Sequence, residues 1–372
     1  MHFYLVTPTV RAHSQGFFTY HSPDELFAGT VVLVEIGKRE SVGVVIQKIS
    51  KPDFKTKEII KVIEKKPIPI AILDLANWLH QYYGSPIASV WQTLLPRGLQ
   101  KKRRANNVKS IDISRDKNTI KLNTEQNNAV KSIIKNRKKT SLLQGITGSG
   151  KTAVYIELAK KTLLREGKSV IVLVPEIALT SQLVGEFQQH FPDVLLTHSG
   201  MSEAERHIVW LRALNSEKPQ LVIGPRSALF LPLPNIGLIV IAEAHEASFK
   251  QEQAPRYLAS RAARILANKH DAILILGSAT PSVSDRFMAD KTGNIVRLDR
   301  SAKTIGDVRT ELIDNRKRGN FTKHSFISNR LIEVIEETLK NKQQVLLFHN
   351  RRGSASTTLC ENCGWNAICK RC

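Results

Sequence analysis

Cysteine is missing from nearly the whole chain: four occur in 372 residues, all within the last 13. A disulfide-stapled extracellular scaffold is excluded by that distribution, which points instead to a reduced compartment, the cytoplasm, and to a metal site at the far end. Acidic residues are scarce, 33 against 55 Lys and Arg, for a formal net charge of +22 and a pI near 9.9. A balance this basic favours phosphate backbones or anionic membranes as partners. There is no run of 18 apolar residues, so no spanning helix and no membrane partner are expected. The opening Met1-His2-Phe3-Tyr4 lacks the basic-then-apolar pattern of a secretory signal. Internal repeats and low-complexity tracts are absent as well. At this length, with 42% hydrophobic residues, two or three domains can each bury a core.

What is present divides along the chain. Residues 1–98 read as a small β-rich module: short apolar stretches at Val31 to Glu35 and Val42 to Ile49 are punctuated by Gly29, Gly37 and Gly43. A helical pattern from Ile70 to Tyr83 is ended by Gly84, and Pro86 opens the next segment. Residues 99–121 are a basic linker with eight basic against two acidic residues. Its charge serves solvation, or draws a nearby nucleic-acid backbone closer. From 122 to 298 the chain repeats an apolar run, a turn and an amphipathic stretch. The runs are Ser141 to Gln144, Val170 to Val174, Val194 to Leu196, Leu221 to Ile223, Leu238 to Ile241 and Ala272 to Leu276. Alternating with helical patterns such as Thr152 to Arg165, they predict buried parallel strands in an α/β sheet. Residues 299–358 bring a helix and strand, Asn329 to Lys340 and Gln344 to Phe348, that read as the start of another α/β lobe.

The sharpest motif is Gly145-Ile-Thr147-Gly148-Ser149-Gly150-Lys151-Thr152, a phosphate-binding loop between an apolar strand and a helix. Its glycines let backbone N–H groups wrap phosphates, and the helix N-terminus adds positive potential. Lys151 is expected to reach the outer phosphates of ATP, and the Thr152 hydroxyl to hold magnesium. Five further segments follow strands in the same lobe: Val174 to Thr180, His198 to Gly200, Gly224 to Phe230, Ile239 to His245 and Gly277 to Ser282. In open α/β sheets, loops after the strands line one crevice, which would let nucleotide state reach a track. The cysteines read Cys360-x-x-Cys363, then Cys369-x-x-Cys372, a paired-knuckle spacing for zinc through thiolates. Spacing alone suggests one four-cysteine site.

The order of these segments resembles superfamily 2 helicases, and their detail resembles the bacterial primosomal replication-restart helicases. The resemblance implies a RecA-like parallel-sheet motor lobe, preceded by a binder of DNA 3′ ends and followed by the start of a second lobe with zinc knuckles (residues 359–372). It implies an ATP- and Mg²⁺-dependent 3′-to-5′ helicase that recognises forked DNA and restarts replication. Implied partners are forked and single-stranded DNA, single-strand binding protein and primosome components, in a nucleoid-associated cytoplasmic setting. By the same resemblance Gln126 reads adenine, Glu243 orients the attacking water, and His245 completes the acidic box. Residues 247–257, with Lys250, Arg256 and Tyr257, look like the aromatic-rich loop that links DNA contact to hydrolysis. Gln15 to Tyr20, Gly37, Lys38 and Lys61 align with the 3′-end pocket. There Phe18 either stacks on a base or serves as a core aromatic, and Thr19 stands where the family has an acid.

Three departures matter. Ala242 stands where the family has its magnesium-coordinating aspartate. Residues 99–121 are too few for the family's winged-helix domain. The chain stops at Cys372, before most of the family's second lobe and its arginine finger. In the family the two cysteine pairs belong to two interleaved zinc sites completed by four further cysteines, so one site and two both stay open. Two rivals also stay open: a hydrolysis-deficient DNA-binding scaffold of the same fold, and another superfamily 2 translocase such as a restriction subunit.

Overall fold

The computed structural model describes residues 1–10, 16–101, 121–137, 140–175, 182–300, 309–314, 316, 318–324, 327–348, 363 and 365. Residues 1–304 form one compact unit and residues 305–372 another, and each is described by itself.

The first unit opens with six short strands: β1 (His2–Pro8), β2 (Phe18–Ser22), β3 (Val31–Ile36), β4 (Arg39–Ile49), β5 (Lys57–Glu58) and β6 (Lys61–Glu64). They form one sheet in the order β5-β2-β1-β4-β3-β6, antiparallel except for the β2–β5 pair. Alternation along the strands divides their side chains. Tyr4, Val6, Tyr20, Val32, Val34 and Val45 pack together on one side, while Val31 and Val44 join a different core. β3 and β4 are joined by a two-residue turn at Gly37-Lys38, where Gly37 has φ 61°, the conformation a type II′ hairpin asks of its first turn residue. Gly29 is required for another reason: a Cβ there would stand 2.3 Å from the Ile68 carbonyl oxygen.

Two helices follow, α1 (Ile70–Tyr83) and α2 (Ile87–Leu94). α1 buries Ile72, Leu75, Ala76 and Leu79 at helical spacing, and ends at Gly84 in the left-handed conformation. The expected helix over 70–83 is therefore present with its expected stop.

The α/β part contains α3 (Thr124–Lys135), β7 (Ser141–Gly145), α4 (Lys151–Lys160), β8 (Ser169–Leu173), α5 (Gln182–His190), β9 (Val194–Leu196), α6 (Glu203–Asn215), β10 (Leu221–Gly224), β11 (Ile236–Ile241), α7 (Ala259–His270), β12 (Ile273–Ser278), α8 (Val283–Thr292) and β13 (Ile295–Leu298). α4 runs on into a π-helical turn over Lys161–Arg165. The seven strands are all parallel, in the order β13-β7-β12-β11-β8-β10-β9. The central strands β8, β10, β11 and β12 are buried at every residue, as parallel strands covered on both faces must be. Both edge strands, β9 and β13, are partly open. β13 was not among the apolar runs expected from sequence, because Ile295-Val-Arg-Leu is short and carries an exposed arginine.

The sheet faces bury different sets. Val170, Val172, Leu238, Val240, Ile273 and Ile275 pack against α3, α4 and α5 through Ile133, Ile156 and Phe187. Ile171, Leu173, Ile239, Ile241, Leu274 and Leu276 belong to the core that also takes in α6, α7, α1 and α2. The amino-terminal module thus shares a core with the α/β sheet. Leu99 is buried in it too, whereas linker residues 102–120 lie outside the described residues.

In the second unit, α9 (Asn329–Lys340) is capped by the Ser328 hydroxyl, which accepts from Leu331 N at 3.2 Å. The strand expected at Gln344 to Phe348 is not formed among the described residues, and Leu346 and Phe348 are exposed there. A strand exists only through hydrogen bonds to a neighbour, and none is described beside this segment.

Candidate nucleotide-binding site and nucleic-acid surface

β7 delivers the chain to the carboxyl edge of the sheet at Gly145, and α4 begins at Lys151. Between them Gly148 (φ 78°) and Gly150 (φ 80°) take left-handed conformations that turn the loop back on itself. Gly145 has no room for a side chain, since a Cβ would lie 2.5 Å from Ser149 Oγ. The first N–H groups of a helix have no intrahelical acceptor and carry positive potential, so the start of α4 offers an anion site. Lys151 is buried, and its Nζ donates to the Gly145 carbonyl at 2.9 Å. Glu243 Oε1 lies 3.6 Å from the same Nζ.

Glu243 follows β11 with φ 54°, a left-handed conformation uncommon for a residue with a side chain and often found at functional sites. Its Oε2 is 3.6 Å from His245 Nδ1. His245 Nδ1 is in turn 2.8 Å from Ser278 Oγ at the end of β12. Ser278 Oγ also accepts from Thr280 N at 3.0 Å, and Ala244 N donates to Gly277 O at 2.8 Å. One chain of contacts therefore runs from the phosphate-binding loop through Glu243 and His245 to the loop after β12. Ala242, buried at 3% exposure, presents only a methyl group.

Gln126 is 4% exposed and both ends of its amide are engaged. Its Oε1 accepts from Asn123 N at 3.0 Å, and its Nε2 donates to Ser149 O at 3.2 Å. The structure thus gives Gln126 a role in tying α3 to the phosphate-binding loop, beside the expected contact with a base. Thr147 and Gly148 are exposed, and Thr152 is partly exposed at the start of α4. A triphosphate fits this arrangement: the helix start, the left-handed glycines and one buried ammonium all present positive charge to one place. A magnesium ion would find the Thr152 hydroxyl but no side-chain oxygen at Ala242.

Tyr155, fully buried on α4, approaches Gly277 near the end of β12, and burial together with Glu243 pushes its phenol far up from the usual range. A Cβ on Gly277 would stand 1.6 Å from the Tyr155 hydroxyl oxygen, so that glycine makes room for this ring. Sequence reading singled out Gly277 but not Tyr155, because nothing local marks a helix tyrosine as a wall of the site.

The nucleic-acid candidates fare unevenly. Lys38 and Lys61 are exposed, and Lys57 Nζ donates to Gly37 O at 3.0 Å, bracing the hairpin turn. Phe18, the first residue of β2, is partly buried against the core of the small sheet; Gln15 lies outside the described residues. Lys250 and Arg256 are exposed and joined, Lys250 Nζ donating to Arg256 O at 2.5 Å. Tyr257 is a correction. It is 1% exposed, packed edge-on against Phe230 at 5.1 Å, and burial drives its phenol well above the usual range. Its ring is closed to a base because it fills the core beneath the loop. Arg226 also holds that loop, donating to Gln251 Oε1 at 2.9 Å and to the Ser248 carbonyl. Residues 176–181 of the segment after β8 lie outside the described residues, as do Cys360, Cys369 and Cys372; Cys363 is exposed. Among the described residues no group of His, Cys, Asp or Glu is arranged to hold a metal, and no helix is long and apolar enough to cross a membrane.

Comparison with known proteins agrees with this geometry. Residues 119–283 match the family described as Type III restriction enzyme, res subunit, and residues 9–96 match the 3′ DNA-binding domain family of PriA. The replication restart protein PriA of Rickettsia conorii is 36% identical over 354 residues, covering 94% of this chain and 53% of that protein. PriA of Helicobacter pylori is 32% identical over 382 residues, covering 100% of this chain and 56% of that protein. Among solved structures, the DUF1998 helicase MrfA superposes with a TM-score of 0.38 at 19% identity, over 62% of this chain and 36% of that one. The chain spans about half the length of the curated relatives it matches. With its amino-terminal module and its phosphate-binding sheet both matched in order, the chain belongs to the PriA family of replication restart proteins.

Proposed function

We propose that the chain binds ATP with magnesium at the β7–α4 loop and DNA through its amino-terminal module, as part of a 3′-to-5′ DNA helicase that restarts replication at stalled forks. The observation that carries this reading is the convergence of Lys151, Glu243, His245 and Ser278 at the carboxyl ends of β7, β11 and β12. Lys151 would bind the outer phosphates, exchanging its contacts with Gly145 O and Glu243 for phosphate oxygens. Bound ATP supplies the phosphoryl group and the energy of its transfer. Glu243, released from Lys151, is placed to accept a hydrogen bond from water. His245 fixes the Glu243 side chain and relays its position to Ser278, and so to the loop after β12. Residues 1–98 are proposed as the 3′-end binder, residues 122–298 as the first motor lobe and residues 299–358 as the start of the second. Single-strand binding protein and primosome components are the proposed partners, in a cytoplasmic, nucleoid-associated setting.

Equilibrium binding of a fluorescent ATP analogue tests the assignment, with Lys151→Ala expected to abolish binding. Equal affinity in that variant would sink it. A second reading, a DNA-binding scaffold that does not hydrolyse ATP, is favoured by Ala242, whose methyl cannot hold a metal. Ala242→Asp separates the two once a second motor lobe of the family is joined to the chain. If one preorganised electrostatic group is worth roughly 10²- to 10³-fold in rate, the variant should turn over ATP faster by about that factor. No turnover in either protein supports the scaffold.

Zinc is proposed at Cys360, Cys363, Cys369 and Cys372, whose spacing suits thiolate ligation. Elemental analysis of chelator-free protein should find it. One equivalent supports a single four-cysteine site, and folded, metal-free protein removes the proposal.

A further inference from the structure

We propose that Tyr155 is a positioning residue for Glu243: when Lys151 turns to phosphate, the Tyr155 hydroxyl replaces it as the donor that holds the Glu243 carboxylate. This role rests on the nucleotide-binding reading above and falls to a residue that no motif assigns. Tyr155 is 1% exposed, and its hydroxyl oxygen is buried with no hydrogen-bond partner. Packing accounts for the ring, since Phe would fill the same space. It does not account for the oxygen, because a sealed polar atom without a partner is destabilising where a carbon is not.

The place of that oxygen indicates its partner. Tyr155 follows Lys151 by four residues, so the two side chains lie on one face of α4, a turn apart. The phenol points tip first at Gly277: a Cβ there would collide with the hydroxyl, with Cζ at 2.8 Å and Cε1 at 3.5 Å behind it. Gly277 is not among the glycines of positive φ, so its backbone makes no demand for glycine; Tyr155 does. β12 runs beside β11 with Leu276 opposite Ile241, and the Gly277 carbonyl accepts from Ala244 N at 2.8 Å. The hydroxyl therefore stands beside the turn that carries Ala242 and Glu243. Ala242 offers it only a methyl group.

Glu243 offers a carboxylate that is loosely held. Its Oε1 lies 3.6 Å from Lys151 Nζ and its Oε2 3.6 Å from His245 Nδ1, both beyond hydrogen-bond length, and the side chain is 42% exposed. Once Lys151 turns to phosphate, Oε1 loses its cation. A donor from the protein interior would then hold the freed oxygen and keep the other turned to His245 and to water. A hydroxyl bonded to an ionised carboxylate makes one of the stronger hydrogen bonds. Burial, and after it the Glu243 charge, push the phenol far up, so the hydroxyl keeps its proton and can donate it.

Binding of the fluorescent ATP analogue and urea denaturation, both on the full chain, test this role. A bond made only with nucleotide bound adds to affinity and nothing to the stability of the chain alone. Tyr155→Phe should therefore be at least as stable in urea without nucleotide, yet bind the analogue roughly 10- to 100-fold more weakly, the worth of a hydrogen bond to a charged group. In a Glu243→Ala background the same change should shift affinity by less than about twofold, since the acceptor is gone. The proposal is overturned if Tyr155→Phe binds the analogue as the parent does. An equal loss in the Glu243→Ala background overturns it too, since the hydroxyl would then serve another partner. So does a loss of affinity that comes with a loss of stability, which would make packing the cause. If the parent chain binds no analogue, the nucleotide-binding reading itself fails, and this role with it.

Discussion

Tyr155 shows how much one buried atom decides. Its ring is buried against Gly277 of β12, but its hydroxyl has no hydrogen-bond partner there. A buried polar atom left unpaired is costly, so Tyr155→Phe should be neutral or should stabilise the chain by about 1 kcal/mol. Gly277→Ala puts a methyl group where that hydroxyl stands, and overpacking of this kind costs about 1–3 kcal/mol. The double variant should recover part of the loss but not all, because a Cβ on Gly277 would still lie 2.8 Å from the Tyr155 Cζ. Urea denaturation of the three variants checks the cycle, and strict additivity would show that the two positions do not compete. Tyr257 and Gln126 teach the same lesson from the other side. A tyrosine in a loop and a glutamine in the first turn of α3 read as ligand contacts from sequence; the tyrosine fills the core, and the glutamine amide also ties α3 to the phosphate-binding loop.

At the scale of elements, α3 is the clearest coupling between local sequence and site. Asn123 and Gln126 form a reciprocal cap: the Asn123 side chain accepts from Gln126 N at 2.8 Å, and Gln126 Oε1 accepts from Asn123 N. Because Gln126 also holds Ser149 O, the cap of one helix braces the loop before another. Asn123→Ala should cost about 1 kcal/mol of stability, the usual value of an N-cap. It should also weaken the fluorescent ATP analogue, since a loosened Gln126 no longer pins the loop. A stability loss with unchanged nucleotide affinity would mean that the brace is idle. α1 makes a second coupling: it carries the shared core on one face and fastens the loop before α7 through Tyr83.

For the molecule as a whole, two histidines set an acid limb. Burial, with Lys160 nearby, holds His190 below its usual range; burial, with Lys168 nearby, does the same for His270, whose Nε2 is buried without a partner. A group that takes up protons more readily unfolded than folded destabilises the folded state as protons become available. Above the ordinary value of 6.5 both states are neutral and nothing is lost; as pH falls from there towards the depressed folded values, stability drops. The urea midpoint should therefore fall between about pH 7 and pH 5, and the His190→Gln, His270→Gln variant should fall less. Equal falls in the two proteins would assign that limb to other groups.

Much of this was legible in the chain itself. The phosphate-binding loop, the helix over 70–83 and most of the parallel strands follow from short-range rules: glycine conformations, capping, and apolar runs of the right length. Those rules act within a few residues, so a sequence carries them in plain view. Tertiary structure decided the rest. It brought Lys151, Glu243, His245 and Ser278 together from three strands, and added β13 as an edge strand. It also closed the core over Tyr257, and stacked Trp78 on Tyr82 beside an arginine 179 residues from the tyrosine. Contacts between residues so far apart depend on how faces pack and strands order, and no local pattern encodes which faces will meet.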